Sequence, residues 1–399
     1  MNSVIRKVIN KIERYIFLDC KLSHLCFRRS RKIKIDDKKV VFSSFDGSGF
    51  SDSPKYIALK LHEVDRNAKI VWLIDKNRAN KETFPPYIKT VNMFSFSALK
   101  ELSSAKVWVD NTRKIIYVPK KEGQFYIQTW HGGLGFKKIE QDCESQLDPR
   151  YIEMAQNDSA MIDLCISNSK HLTSIMKNGF WYSGKILQCG MAKNDVLINY
   201  QNVSRDLMRG YVPEGVSVCL YAPTFRKNYK FDKYTLDYSA LKTQLEIKFG
   251  GEWVIGVRFH PNLVEYIDEA DLPSDVVDFS KFPDVQVLLA LVDCVITDYS
   301  SIIFDFALTN KPAFIYAPDY REYVQSERDV YIRLEDTPFD IAETNDALMT
   351  TIGSFSYETY LNKLHSFFEK QELSDKGNAS EQITKIIIEN LLCKEVKTT

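Results

Sequence analysis

Residues 285–319, VQVLLALVDCVITDYSSIIFDFALTNKPAFIYAPD, decide how the rest of the chain reads. Leu288 to Leu291 close an apolar helix, and Cys294, Val295 and Ile296 form a short buried strand. A polar turn follows at Thr297, Asp298, Tyr299, Ser300 and Ser301. The next residues predict a second helix over Ile302–Leu308 and a further strand over Ala313–Tyr316. At the start of that second helix the first backbone N–H groups have no intrahelical partner and the macrodipole is positive. A helix N-terminus behind a buried parallel strand is a phosphate site in waiting. Ordinary N-capping by Ser or Asp leaves the same residues there. The turn therefore gains weight only from what surrounds it.

The alternation continues in both directions. Upstream, strands are expected at Val218–Tyr221, Trp253–Arg258 and Val276–Asp278, with a helix at Tyr238–Phe249. Downstream, Ala347–Gly353, Ser356–Gln371 and Ser380–Leu392 read as helices. An earlier series has strands at Val40–Ser44, Ile70–Leu73, Tyr87–Val91, Val107–Val109, Tyr126–Thr129, Lys185–Gln188 and within Ala160–Ser167. Helices from Pro54, Phe96 and Ser169 separate some of them. This is the rhythm of two α/β domains, each a doubly wound parallel sheet. The expected division is 1–38 as a basic amphipathic segment, 39–203 and 204–375 as two Rossmann-like domains, and 376–399 as a closing helix and tail.

Composition sets outer bounds. The chain has 399 residues, room for two cores, and 44% hydrophobic residues, which suits a globular protein. Formal net charge is zero, so no global polyelectrolyte binding is implied and nucleic acid is not an expected partner. The cysteines show no CxxC and no regular framework, and Cys165, Cys219 and Cys294 lie in apolar runs, as free thiols in a reducing compartment do. No apolar stretch is long enough to span a bilayer, and the N-terminus lacks the order of a signal peptide. The first 39 residues carry twelve basic against four acidic side chains, with Val4, Ile5, Val8, Ile9, Ile12 and Ile16 at helical spacing. Such a segment is expected to lie on an anionic membrane surface, although a helix packed on its own domain has the same pattern.

Candidate chemistry clusters at strand ends. QTWHGG, 128–133, puts His131 beyond a strand with Gly132 and Gly133 behind it, where close approach of a substrate is possible. An imidazole there can take a proton from an attacking hydroxyl, and Lys137 and Lys138 can hold an anionic acceptor. RFHPN, 258–262, repeats the placement: Arg258 and His260 share one side of an extended strand. They suit an anionic phosphate or a leaving group. APTFR, 222–226, offers Arg226 as a bidentate phosphate ligand. DGSGFSDSPKYI, 46–57, is a weaker glycine- and serine-rich signal before a helix. P-loop, HExxH, GxSxG and zinc spacings are absent, so no metal site is expected, and charge neutralisation falls to Arg, Lys and helix ends. Asp298 can orient His260 or ligate a cation, but a capping role is the simpler account.

Taken in order, SSFDGSGFSDSPKYI, QTWHGGLGFKKIEQD, ISNS, GMAKND, YAPTFR, RFHPN and TDYSSIIFDFALTNKP resemble the CDP-glycerol glycerophosphotransferases, the teichoic-acid primases and polymerases, over roughly residues 40–330. The resemblance implies a GT-B-like fold of two Rossmann-like domains, bound peripherally at the cytoplasmic face of a bacterial membrane. It implies a CDP-alditol donor, CDP-glycerol or CDP-ribitol, no resident cofactor, and a lipid-linked saccharide or polymer acceptor for teichoic-acid or capsule synthesis. Divalent-cation dependence is not fixed by these motifs. His131 and His260 match the family's essential histidines, and Arg226, Arg258, Thr297, Ser300 and Ser301 match donor phosphate binding, with Asp298 beside them. Gly132, Gly133, Lys137 and Lys138 fall on the acceptor side. Two motifs depart: His-Gly-Gly-Leu stands at 131–134 for the usual His-Gly-Thr-Pro, and Ala-Lys-Asn-Asp at 192–195 for Pro-Arg-Asn-Asp. A sugar-nucleotide glycosyltransferase of the same architecture and a non-catalytic membrane assembly factor are the alternatives.

Overall fold

The computed structural model describes residues 32–79, 84–115, 118–224, 235–259, 272–320 and 330–392. The amphipathic segment over residues 4–16, and Arg226 and His260, lie outside them. The described residues divide into two compact units. One takes the chain up to His131, Ile139–Asp195 and the residues from Ser374 onward; the other takes Gly132–Lys138 and Val196–Leu373.

The first unit holds β1 (Asp36–Ser43), α1 (Asp52–Val64), β2 (Lys69–Ile74), β3 (Lys89–Asn92), α2 (Phe96–Ser104), β4 (Ala105–Asp110) and β5 (Phe125–Gln128). It continues through α3 (Pro149–Ser159), β6 (Leu164–Ser167), α4 (Lys170–Gly179) and β7 (Lys185–Gln188). The strands form one sheet of order β3-β2-β1-β4-β5-β6-β7, every pair parallel. Residues that alternate along a strand serve two cores, as the period of two requires. Val40, Phe42, Trp72 and Val109 pack with Ile57 and Leu61 of α1, whereas Val41, Leu73 and Trp108 pack with Leu99 of α2 and Leu172 of α4. Burial on both faces is why these strands read as near-continuous apolar runs.

The second unit holds β8 (Ser217–Tyr221), α5 (Tyr238–Phe249), β9 (Trp253–Val257), β10 (Val277–Asp278), α6 (Val285–Leu291) and β11 (Cys294–Thr297). After them come α7 (Ile302–Ala307), β12 (Ala313–Tyr316), β13 (Ile341–Ala342), α8 (Asn345–Ser354) and α9 (Tyr357–Lys370). Its parallel sheet has the order β10-β9-β8-β11-β12-β13. Cys219 sits opposite Cys294 in the central register, both fully buried free thiols acting as small apolar groups. The doubly wound α/β class expected from the sequence is therefore present in both units.

Local chemistry fixes the element ends. Ser95, Ser169, Thr344 and Ser356 accept the N–H three residues on, and Asp284 accepts two N–H groups at the start of α6. The last helix, α10 (Ala379–Leu392), belongs to the first unit, where Ala379, Ile383 and Ile387 join the α1 face of the core. Asp195 caps it, its two carboxylate oxygens accepting from Ala379 N and Ser380 N at 2.9 and 2.8 Å. Asp375 ties the same corner through Met191 N at 2.8 Å and Asn168 Nδ2 at 2.7 Å. The GMAKND motif thus anchors the C-terminal helix.

Candidate active site

In an open parallel sheet, the strand order reverses between two neighbours, and ligands bind beyond the carboxyl ends of that pair. The reversal falls between β1 and β4 in the first unit and between β8 and β11 in the second. The sequence-marked residues lie at these ends, and each unit is described on its own.

In the first unit, the loop after β1 meets the end of β4, where Asn111 Oδ1 accepts from Phe45 N at 2.8 Å. The loop is tightly wound: Phe45, Asp46 and Asp52 all have positive φ. Gly47, at φ +77°, permits the closest approach, because a Cβ there would sit 2.5 Å from Asp75 N. Thr112 donates to Asp46 Oδ1 at 2.9 Å. One strand further on, Trp130 adopts φ +54°. Gln128 holds it there, accepting from Trp130 N at 2.9 Å while its amide nitrogen donates to Thr112 O at 2.9 Å and Tyr126 Oη at 3.3 Å.

His131 follows, half-buried, between the rings of Trp130 and Phe45 at centroid distances of 4.4 and 5.4 Å. Its Nδ1 lies 2.8 Å from Asn111 O. A carbonyl can only accept, so Nδ1 carries the proton and Nε2 is the basic nitrogen of the neutral ring. Burial pushes the imidazole below its ordinary proton affinity, against the pull of the Asn111 carbonyl and of Asp52. The ring is therefore neutral and able to accept a proton at neutral pH.

Two charged groups near this ring had no role in the sequence reading. Lys193 is 5% exposed, and its Nζ donates to His131 O at 3.0 Å and lies 3.9 Å from Asp52 Oδ2. Burial raises the Asp52 carboxyl, and Lys193 opposes that rise. Their only sequence signal was an acid inside a glycine-serine loop and a lysine inside a motif.

The residues after His131 belong to the second unit, where Leu134 and Phe136 enter the core and Phe136 packs on Phe304 at 5.6 Å. Phe136 O accepts from Tyr331 N at 2.9 Å, and Lys137 forms an antiparallel bridge with Val330. Gly132, Lys137 and Lys138 are half-exposed and Gly133 is buried.

At the second unit's reversal point, Asp298 crosses from β11 to β8. Its Oδ1 accepts from Thr224 N at 2.8 Å, from the Thr224 hydroxyl, and from Tyr299 N at 2.6 Å. Thr297 donates to Ala222 O at 2.6 Å. Both are essentially buried, so their polar atoms hold the two loops together. Ser300 and Ser301 are half-exposed in front of α7, whose N-cap Ser301 makes no side-chain capping bond. That helix is six residues long, less than two full turns, so its dipole is small. Arg258 directs Nη1 to Phe279 O at 2.6 Å and Phe282 O at 3.0 Å. Among the described residues, no group of three or more His, Cys, Asp or Glu is arranged to hold a metal ion.

A family model described as CDP-glycerol:poly(glycerophosphate) glycerophosphotransferase matches residues 25–389. The chain belongs to this family. It is 31% identical over 368 residues to the teichoic acid poly(glycerol phosphate) polymerase of Staphylococcus epidermidis, covering 88% of this chain and 51% of that one. It is 30% identical over 377 residues to the teichoic acid glycerol-phosphate transferase of Staphylococcus aureus, covering 89% and 94%. The chain thus spans about half the length of the polymerase and nearly all of the transferase. A solved structure of a histidine variant of the wall teichoic acid polymerase TagF soaked with CDPG superposes with a TM-score of 0.80 at 27% identity, covering 98% of this chain and 99% of that one. The fold is thus of the same GT-B type as the polymerase.

Proposed function

We propose that this protein moves a glycerol-phosphate or ribitol-phosphate unit from a CDP-alditol to a hydroxyl of a membrane-linked saccharide or polymer, releasing CMP. Family membership sets the reaction class, and relatives named for glycerol phosphate and for ribitol phosphate both match. The observation that carries the reading is His131: its Nδ1 faces a carbonyl and its Nε2 remains the basic nitrogen. In the step proposed, Nε2 takes the acceptor hydroxyl's proton as that oxygen bonds to the β-phosphorus. The bond from the β-phosphorus to the bridging oxygen breaks, and CMP leaves with that oxygen. Arg226, Arg258, Ser300 and Ser301 are assigned to the donor's diphosphate, where guanidinium groups and backbone N–H groups offset developing charge. His260 is assigned to the leaving side, and Lys137 and Lys138 to the acceptor.

Among the described residues no helix is long and apolar enough to cross a membrane. The basic residues 1–38 are assigned to an anionic membrane surface, the cytoplasmic face where CDP-alditols are available. The deciding experiment incubates the purified protein with acceptor and with CDP-glycerol, CDP-ribitol or UDP-sugars, and measures nucleotide release. CMP from a CDP-alditol is expected; UDP release alone would replace the reading with a sugar transfer.

A further inference from the structure

We propose that Lys193 is a positioning residue for His131, its ammonium clamping the carbonyl of that residue while balancing the Asp52 carboxylate beside the same turn. The inference rests on the reading of His131 as the base. Three observations within the first unit support it. The Lys193 ammonium reaches His131 O at 3.0 Å, so it grips the backbone that aims the ring. It stands 3.9 Å from Asp52 Oδ2, and both side chains are 7% exposed, so neither charge is screened by bulk water. The Lys193 backbone is itself fixed, its N–H meeting Ser53 Oγ at 3.4 Å, at the start of the helix that carries Asp52.

Among the described residues, the charged groups that face the His131 ring are Asp46 and Asp52, from the loop after β1 and the start of α1, and Lys193, from the turn after β7. Asp52 and Asp46 favour the imidazolium; Lys193 and burial disfavour it. Lys193 therefore has two separable effects. It orients the ring, and it keeps Asp52 from drawing a proton onto Nε2 before the acceptor arrives. A lysine that merely filled space would do neither.

The test is a histidine titration by NMR on the full chain labelled at its six histidines, with His131→Gln assigning the resonance. Lys193→Met removes a positive neighbour and is expected to raise the pKa of His131. Asp52→Asn removes a negative one and is expected to lower it. Lys193→Arg is expected to keep the wild-type titration and to restore turnover. In steady-state CMP release, Lys193→Met should cut kcat by about tenfold or more with donor KM little changed, a fraction of the effect of a general base. The acid limb of its pH–rate profile should move to higher pH. If Lys193→Met proves unfolded, the double variant Lys193→Met with Asp52→Asn removes both buried charges. That variant should fold and still lose turnover. Shifts of the same sign in Lys193→Met and Asp52→Asn, or none, would overturn the proposal. Opposite shifts with unchanged kcat would overturn the positioning role while leaving His131 as the base, whereas full turnover in His131→Ala would overturn the reading of His131 itself, so the two readings fail separately.

Discussion

Replacing Arg113 with methionine should destabilise the first unit by several kcal/mol at neutral pH, and the deficit should shrink in acid. Arg113 is 2% exposed. Its Nε donates to Glu140 Oε1 at 2.9 Å, one Nη pairs with Glu140 Oε2, and the other lies 3.3 Å from Asp158 Oδ2. The guanidinium also donates to Phe180 O at 3.0 Å and sits 4.0 Å above the Phe180 ring. Methionine fills most of the volume but leaves two buried carboxylates facing each other. Breaking one side of such a network costs about 3–5 kcal/mol. For a unit of about 200 residues, each kcal/mol lowers Tm by about 2–4 °C, so a fall of about 6–20 °C is expected. The pH dependence follows from Asp158, whose carboxyl burial already raises to about 6. A carboxyl raised in the folded state binds more protons there than in the unfolded chain. Stability therefore falls as pH rises from the unfolded value through about 6, by about 3 kcal/mol for this group. Without Arg113 the carboxyl should titrate higher still, so the penalty at pH 7 grows and is relieved on protonation. Thermal unfolding followed at pH 7 and pH 5 measures both effects. A Tm within 2 °C of wild type, or a deficit equal at the two pH values, would refute the account of Arg113 as the counter-charge of this core.

Other expectations follow from single contacts. His131→Ala should slow CMP release on the order of a hundredfold or more with little change in Tm; full turnover with purified acceptor would remove the residue from the mechanism. Gly47→Ala should destabilise by about 1–3 kcal/mol in denaturant unfolding, since its φ of +77° is costly for alanine and the new Cβ meets Asp75 N and Met93 Sδ. Asp298→Ala leaves Thr224 N, Thr224 Oγ1 and Tyr299 N without their acceptor, which should cost about 1–3 kcal/mol and raise donor KM; unchanged stability would show that the loops are held by something else.

The strands were legible because parallel strands buried on both faces leave unbroken apolar runs, such as Cys294–Thr297 and Ala313–Tyr316. The two-residue strand Ile341–Ala342 carries no such run and was not expected, whereas the equally short Val277–Asp278 lies within the strand expected at Val276–Asp278. Nor was α3, Pro149–Ser159, whose face is mostly polar; Asp148 before Pro149 was its cue, since the Asp148 carboxylate caps Arg150 N at 2.7 Å. The seven residues from Gly132 to Lys138 belong to the second unit, although they sit between strands of the first. A crossing that short has no compositional signature. Single residues were harder. Periodicity ranks faces, but it cannot tell that Lys193 reaches the carbonyl of residue 131, a contact 62 positions away.

A parallel sheet buried on both faces leaves its polar side chains to the strand ends, and at the carboxyl edge they must also satisfy the loops' own backbone groups. Gln128, Asn111, Thr297 and Asp298 all lie there, and each is at most 2% exposed. Each bonds a neighbouring loop: Gln128 to Trp130 and Thr112, Asn111 to Phe45, Thr297 to Ala222, Asp298 to Thr224. His131, Ser300 and Ser301 occupy the same edges but are half-exposed. Exposure thus separates two kinds of polar residue that a motif presents as one. Members buried completely hold open a crevice whose walls would otherwise carry unsatisfied amides. Members that keep solvent access are those a ligand can reach. On this division, substitutions in the first group should raise KM and lower stability together, while substitutions in the second should change turnover at nearly constant stability.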